Sequence, residues 1–442
     1  MKKSSIVILL FALVNLALSF SQHRWARNEI LKYDASGYYL YLPAVFVYND
    51  LGEMDFYDKL DSVYRPSDDI KKYGLYSQEK TKLQSNKYPI GTAIAEMPFF
   101  LIAHLYTQYG TSKYPIDGYS EPYQFSVGMS NILWSVIGLW VLGAFLRRFY
   151  NDSITALTLL IIGFGTNLFC YTHYEMGMSH ALLFMLVSCV LFFTERWYAT
   201  QQPKHAILLG IFLGWIIISR PVDVIIVILP LLWYTTKQEN KWLVLWQRRK
   251  HLLYSFISFL IVSGIQLMYW KYSTGNFIHF AYQEEGFNFN NPQIVKGLFS
   301  FEKGWFVYTP IAFISFIGLF NLWYQNKKLV FPIILFFILS VYLIFSWHTW
   351  SYGWGFGTRP MIEFYPVLSI PLAALLVWLS KQINFIKAFA IFGFGFFVWL
   401  NLYQTEQYKM GAIKGAGMNQ KFYWRVWNKM HPSPEDWKYY NN

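Results

Sequence analysis

One acid, Asp34, stands directly after the first apolar segment of the chain, in the stretch "NEILKYDASGYYLYLPAVF". A carboxylate close to a bilayer needs solvation or a charged partner, and such residues are candidates for function. The aromatic-rich run 37–48 predicts a helix on the membrane surface, which would hold Asp34 at the depth of a lipid headgroup. We therefore interpret Asp34 as a candidate general base and Tyr38 as a contact for a sugar or acceptor. The alternative is a solvated loop acid beside an aromatic belt.

A second cluster occupies the stretch "SWHTWSYGWGFGTRP" between two apolar runs. It offers aromatic rings that can stack on a sugar and two groups that can bind a phosphate. The rings are Trp350, Tyr352 and Trp354, and the two anion-binding groups are His348 and Arg359. The glycines resemble a nucleotide-binding loop, but no strand precedes them. The alternative is an interfacial aromatic belt with an arginine that reaches to the membrane surface.

Two further positions combine polar groups with apolar surroundings. Arg220 lies where two apolar runs meet, in "IIISRPVDVII", and it would either bind phosphate or pair with Asp223 three residues later. Tyr308, in "EKGWFVYTP", is a weaker candidate for contact with the sugar or the acceptor.

A metal site is the weakest of these hypotheses. The turn "YTHYEMGMSHA" contains His173, Glu175 and His180, which could ligate a divalent metal ion, although their spacing matches no strong metal motif. No cofactor is otherwise expected.

The composition indicates a membrane protein. Of the 442 residues, 55% are hydrophobic and only 14% are charged, whereas soluble proteins contain about 25% charged residues. Much of the net charge of +12 comes from short basic clusters between apolar runs, as the positive-inside rule requires. We interpret this charge as membrane topology and expect no nucleic-acid partner. The cysteines, Cys170 and Cys189, lie inside apolar runs, which argues against redox or zinc chemistry.

The apolar runs predict an all-α polytopic membrane protein, because a span needs about 20 apolar residues. Twelve segments qualify: 4–21, 88–107, 122–146, 153–173, 178–197, 205–219, 221–236, 252–272, 304–324, 329–347, 361–380 and 385–403. If all twelve cross, the basic clusters between them fall outside. If 88–107 does not cross, the clusters move to the cytoplasm. We therefore expect about 11 transmembrane helices, with the N-terminus inside.

This topology predicts one membrane domain over residues 1–403. Its first external loop, 22–121, would carry interfacial or re-entrant helices, and a short external tail would follow at 404–442. The basic start and apolar run of the first segment also fit a cleaved signal peptide, but we favour a retained anchor.

Several motifs taken in order resemble the GT-C superfamily of integral-membrane glycosyltransferases, of the protein O-mannosyltransferase or aminoarabinose-transferase type. They are "YDASGYYLYLPA", "KYPIGTAIAEMPFFLIAHL", "DGYSEPYQ", "GFGTNLFCYTHYEMGMSHA", "LGIFLGWIIISRP", "EKGWFVYTP" and "SWHTWSYGWGFGTRPMIEFYP". The resemblance implies a GT-C fold and a sugar donor carried on a polyprenyl phosphate. It also implies an external-loop acid at the reacting centre, which Asp34 matches, and groups that hold the lipid phosphate, which Arg359 and Arg220 match. Many relatives have two adjacent acids at the first position, whereas Ala35 follows Asp34.

We therefore expect a glycosyltransferase that moves a sugar, with inversion, from a polyprenyl-phosphate donor to an acceptor hydroxyl at the outer face. The expected location is a bacterial inner membrane with the site facing the periplasm, and the acceptor is a protein, a lipid or a polysaccharide. The alternatives are a lipid or solute transporter or flippase, and a non-catalytic membrane assembly subunit.

Overall fold

The computed structural model describes residues 1–67, 72–110, 112–233 and 240–440. Its helices are α1 (Lys3–Gln22), α2 (Tyr33–Tyr39), α3 (Tyr41–Phe46), α4 (Tyr57–Tyr64), α5 (Gly91–Leu105), α6 (Glu121–Leu146), α7 (Asp152–Phe164), α8 (Leu168–His173), α9 (His180–Thr200), α10 (Pro203–Ser219), α11 (Ile228–Leu232), α12 (Lys241–Gln247), α13 (Arg249–Thr274), α14 (Ile294–Phe299), α15 (Trp305–Tyr308), α16 (Pro310–Phe345), α17 (Tyr365–Ser380), α18 (Asn384–Lys409), α19 (Gln420–Val426) and α20 (Pro434–Trp437). The 3-10 helices are Arg24–Arg27, Pro221–Val227 and Arg359–Phe364, and a π-helix covers Tyr106–Gly110. Strands β1 (Leu75–Ser77) and β2 (Gln84–Asn86) form an antiparallel pair.

Helices long and apolar enough to cross a membrane dominate this structure, which is that of an all-α polytopic membrane protein. In the described chain seven such stretches occur: Lys3–Arg27, Glu121–Leu146, His180–Thr200, Arg249–Thr274, Pro310–Phe345, Arg359–Ser380 and Asn384–Lys409. Helix α16 is two helices that meet at Asn326, where φ is −157° and ψ is 78°. Three shorter apolar helices are Asp152–Phe164, Pro203–Ser219 and Pro221–Leu232. These seven helices of spanning length compare with the 11 expected from the sequence, because α7, α10 and the Pro221–Leu232 segment are shorter and α16 joins two of the expected spans.

Helix α5 lies in segment 88–107, which the positions of the basic clusters predicted not to cross the membrane. It has 15 residues and is about 22 Å long at 1.5 Å per residue, which is shorter than the roughly 30 Å hydrocarbon core. Its Glu96 is buried, and α5 packs against α6, α10 and α2.

Contacts between distant segments place the basic turn at 147–148 beside the start of α1. The start of α1 meets the turn between α6 and α7, where Lys3 donates to Ser153 over 3.0 Å and Arg147 donates to Ser4 over 2.8 Å. Phe11, in the middle of α1, is fully buried in the helical core. The basic turn at 147–148 therefore lies at the end of the bundle where α1 begins.

The region 37–48, which was predicted to be one helix on the membrane surface, has a different structure. The structure divides this region into α2 and α3. Three tyrosines of the run, Tyr38, Tyr39 and Tyr41, are buried in protein, and Tyr48 is half-buried. Tyr39 donates to the carbonyl of Gly118 and Tyr41 donates to the carbonyl of Tyr88, each over 2.5 Å. A buried phenol needs such an acceptor, so these two tyrosines stabilise the packing of α2 and α3 against the segments around Gly118 and Tyr88.

The tail, residues 404–442, begins with the last residues of α18 and packs onto the end of the bundle opposite the start of α1. Ile413, Met418 and Phe422 are buried in the main helical core. The amide of Gly355 donates to the carbonyl of Gly415 over 3.2 Å, which joins the tail to the loop before Arg359.

Candidate active site

Asp34 lies in the first turn of α2, and the sequence of that helix explains how it is surrounded. Gly37 lies three residues later and hence on the same helical face. The ring of Tyr88 lies across Gly37 so closely that a Cβ there would be 2.0 Å from Cδ2 of Tyr88. The glycine therefore makes room for the phenol that reaches Asp34.

Three side chains hold the carboxylate of Asp34. Oδ1 accepts hydrogen bonds from Tyr88 over 2.6 Å and from Tyr73 over 3.2 Å. Oδ2 accepts from the guanidinium of Arg359 over 2.7 Å. Burial alone would raise the pKa of Asp34, but the charge of Arg359 and the hydrogen bond from Tyr88 outweigh it and leave this pKa below its usual value. Asp34 is a carboxylate at neutral pH.

The backbone around Asp34 is fixed by the segment after α4. Tyr33 has a φ of 46°, in the left-handed region that residues other than glycine rarely adopt. Its N–H donates to the carbonyl of Pro66 over 2.7 Å. The ammonium of Lys32 donates to the carbonyls of Tyr64 and Arg65 over 2.9 and 2.6 Å. These contacts set the direction in which α2 begins.

Arg359 starts the 3-10 helix that leads into α17, and Lys303 holds the loop before it. The Lys303 ammonium donates to the carbonyl of Gly355 over 2.5 Å, and the Lys303 carbonyl accepts from the hydroxyl of Thr358. Burial, together with the positive charge of Arg359, lowers the pKa of Lys303 to about 7. A buried lysine therefore fixes the backbone on the N-terminal side of Arg359.

Arg220 belongs to a neighbouring buried cluster. Its NH1 donates to Oε1 of Glu363 over 2.8 Å, while Asp223 lies 4.0 Å from its Nε. The other oxygen of Glu363 is 3.0 Å from Nδ1 of His180. The Arg220 guanidinium also lies 5.4 Å above the ring of Tyr352. The expected partner, Asp223, is therefore secondary to Glu363.

A cavity of about 780 Å³ contains both Asp34 and Arg359 in its wall. Tyr352, Trp354 and Glu175 also line it. Tyr38 is buried just behind this wall, with its ring centroid 4.9 Å from that of Tyr88. The structure thus brings the candidate base and the candidate phosphate ligand into direct contact in one cavity.

Three other predicted site residues do not line this cavity. His348 and Trp350 lie on a turn that pairs with the 286–293 segment, where the amide of His348 donates to the carbonyl of Gly286 over 2.9 Å. Tyr308 is buried, and its hydroxyl donates to the carbonyl of Phe301 over 2.7 Å. Aromatic side chains are common at membrane interfaces, so composition alone does not separate these rings from the cavity residues.

The three candidate metal ligands have separate partners. His173 lies 3.0 Å from Oδ1 of Asn15, Glu175 accepts from Tyr408 over 2.7 Å, and His180 contacts Glu363. Among the described residues, no group of three or more His, Cys, Asp and Glu side chains could hold a metal ion. The donor set therefore does not fit a protein-bound divalent metal.

Four residues around Asp34 and Arg220 were not predicted. Glu363 is fully buried within an apolar segment, and an ionisable residue in that setting is itself a signal for function. Tyr73, Tyr88 and Lys303 carry no such signal, because they are brought to the site by the fold of distant loops.

Fold and site together define a polytopic helical membrane protein with an acid–arginine pair in a cavity at one end of its bundle. Residues 121–270 match the family model described as Dolichyl-phosphate-mannose-protein mannosyltransferase. This match confirms the predicted resemblance and supports a glycosyltransferase of the GT-C type. The matched stretch includes Arg220 and His180, whereas Asp34 and Arg359 lie outside it. A comparison with curated proteins gives no significant match.

Proposed function

We propose that this protein transfers a sugar from a polyprenyl-phosphate donor to an acceptor hydroxyl, with inversion at the anomeric carbon. The observation that carries the proposal is the contact of Asp34 with Arg359 over 2.7 Å inside one cavity. A base for the acceptor and a cation for the leaving phosphate must lie on either side of one reacting bond, and this pair is close enough to do so.

In this mechanism Asp34 accepts the proton of the acceptor hydroxyl as its oxygen attacks the anomeric carbon. The bond from that carbon to the phosphate oxygen breaks, and its electron pair leaves with the polyprenyl phosphate. Arg359, with Arg220 nearby, stabilises the charge that grows on the departing phosphate. Attack from the side opposite the leaving group inverts the anomeric configuration.

The ion pair implies an order of events. A carboxylate held by an arginine is a weak base, because its pKa is lowered. A bound donor phosphate competes for the guanidinium of Arg359, which weakens its hold on Asp34 and raises the basicity of that carboxylate. The donor therefore binds before the acceptor hydroxyl is activated, while Tyr88 and Tyr73 keep the carboxylate in position.

The outer face of a bacterial inner membrane fits this chemistry. The basic turns at 147–148 and 248–250 lie at the end of the helices opposite Asp34, and basic loops favour the cytoplasm. The cavity would then open to the periplasm, where a lipid-linked donor presents its sugar.

Purified protein in lipid nanodiscs, incubated with a panel of polyprenyl-phosphate sugars and a mixture of acceptors, tests the proposal. We expect release of polyprenyl phosphate from at least one donor and a product of opposite anomeric configuration by NMR. Release with retained configuration would refute the direct displacement, and turnover of none of the donors would refute the proposed activity.

A further inference from the structure

We propose that the part of this cavity walled by Trp354 and the tail segment 408–414 binds a carbohydrate acceptor, so that the attacking hydroxyl belongs to a glycan. This inference rests on the proposed transfer function and names its second substrate class. Four tail residues line the cavity: Tyr408, Gly411, Ile413 and Lys414. The tail is therefore part of the binding site.

The cavity wall has the composition of a sugar-binding surface. Of the 21 described residues that line it, six are aromatic and seven are charged, whereas five are aliphatic or methionine. The weakly positive C–H groups on one face of a sugar ring are attracted to the negative face of an aromatic ring. Its hydroxyl groups meanwhile bind to charged side chains through strong hydrogen bonds.

Trp354 is the clearest stacking surface. Its side chain lines the cavity although the residue is 61% exposed. Gly415 fixes the ring from behind, because a Cβ there would lie 2.6 Å from Nε1 of Trp354. The ring is thus held by the tail while remaining exposed to a ligand.

Polar groups of the cavity wall are held in fixed directions by neighbouring side chains. Arg24 lies 4.2 Å above the ring of Tyr174 and contacts Glu29 over 3.2 Å. Glu175 accepts the hydroxyl of Tyr408 over 2.7 Å. Donors and acceptors that are already oriented lose little entropy when they bind a polar ligand, which suits an acceptor with many hydroxyl groups.

An acyl-lipid acceptor fits this wall less well. An acyl chain would require a largely apolar groove, whereas seven of the 21 described lining residues are charged. A peptide acceptor is separated from a glycan by the binding test.

The test is binding of the nanodisc-embedded protein to a printed array of defined oligosaccharides and of serine- and threonine-containing peptides. Titration then gives a dissociation constant for the best oligosaccharide with the wild type, Trp354→Ala, Gly415→Ala and the control Trp424→Ala. Trp424 is a tail tryptophan that is 57% exposed and outside the cavity wall. We expect the affinity for the oligosaccharide to fall about tenfold or more in Trp354→Ala. The fall should be smaller in Gly415→Ala, and the control should keep the wild-type affinity.

Binding to peptides alone, to the lipid of empty nanodiscs alone, or to no oligosaccharide would overturn the inference. An unchanged dissociation constant in both Trp354→Ala and Gly415→Ala would also overturn it. Glycan binding does not require the donor, so its failure is distinct from failure of the proposed activity, which is absence of polyprenyl phosphate release by the wild type.

Discussion

Replacing Arg359 by glutamine tests whether one guanidinium serves both the acid and the donor phosphate. The side chains of Arg359 and Asp34 are only 17% and 21% exposed, so solvent screens their interaction less than that of a surface pair. Glutamine keeps a hydrogen-bond donor but removes the positive charge and the planar fork.

The magnitude follows from the contacts that are lost. A hydrogen bond between charged groups contributes about 1.5–3 kcal/mol, which corresponds to a roughly 10- to 150-fold change in donor affinity. The variant should also raise the pKa of Asp34, because burial then acts without its main opposing charge. The stabilisation that Asp34 gains from the pair is present above the ordinary aspartate pKa and is lost as pH falls through the lowered one. The fall in stability that this pair causes as the pH drops below the ordinary aspartate pKa should therefore disappear in the variant.

The assay is equilibrium binding of a labelled polyprenyl-phosphate sugar to protein in nanodiscs, with unfolding measured from pH 3 to pH 7. Arg425→Gln is the matched control, since Arg425 also pairs with an acid, Asp436, over 3.0 Å but lies outside the cavity. Donor affinity that is equal in Arg359→Gln, the control and the wild type would refute the assignment of Arg359 to the phosphate.

Three further changes test the residues around this pair. Tyr88→Phe removes a 2.6 Å hydrogen bond to Asp34, so the acid limb of the pH–rate profile should move to higher pH, and an unmoved limb would contradict the contact. Glu363→Ala leaves Arg220 without its 2.8 Å partner; thermal unfolding should reveal a loss of about 3–5 kcal/mol, and an unchanged melting temperature would contradict it. The pKa of Lys303 is about 7, against about 10.4 for an unfolded lysine. Folding therefore releases a proton, stability should rise from pH 7 to pH 10, and Lys303→Met should flatten that rise; an identical slope would contradict it.

The sequence predicted the membrane fold well because its signals are local. Apolar runs, basic clusters and the position of Lys327 and Lys328 mark where spans begin and end. The break of α16 at Asn326 lies directly before these two lysines. By contrast, burial of the tyrosines in α2 and α3 was not predicted, because a run of aromatic residues suits a membrane surface and a protein interior equally.

The site was predictable only where a residue conflicts with its own surroundings. Asp34, Arg220 and Arg359 are charged residues beside apolar runs. Asp34 and Arg359 form the acid–arginine pair, and Arg220 belongs to the neighbouring buried cluster with Glu363. The partners Tyr88 and Lys303 come from loops that are distant in sequence, and no local pattern marks them. His348 stays a prediction, although Tyr352 and Trp354 of the same stretch line the cavity and His348 does not.

The most direct test of Asp34 as the base is the single-turnover rate of sugar transfer by Asp34→Asn, compared with Asp58→Asn. Asp58 lies in α4, between α3 and α5, and its side chain is 69% exposed. A general base contributes roughly 100- to 10,000-fold to the rate, so transfer should fall by that factor in folded Asp34→Asn protein, and Asp58→Asn should match the wild type. Transfer by a folded Asp34→Asn protein at the wild-type rate would contradict the proposed mechanism.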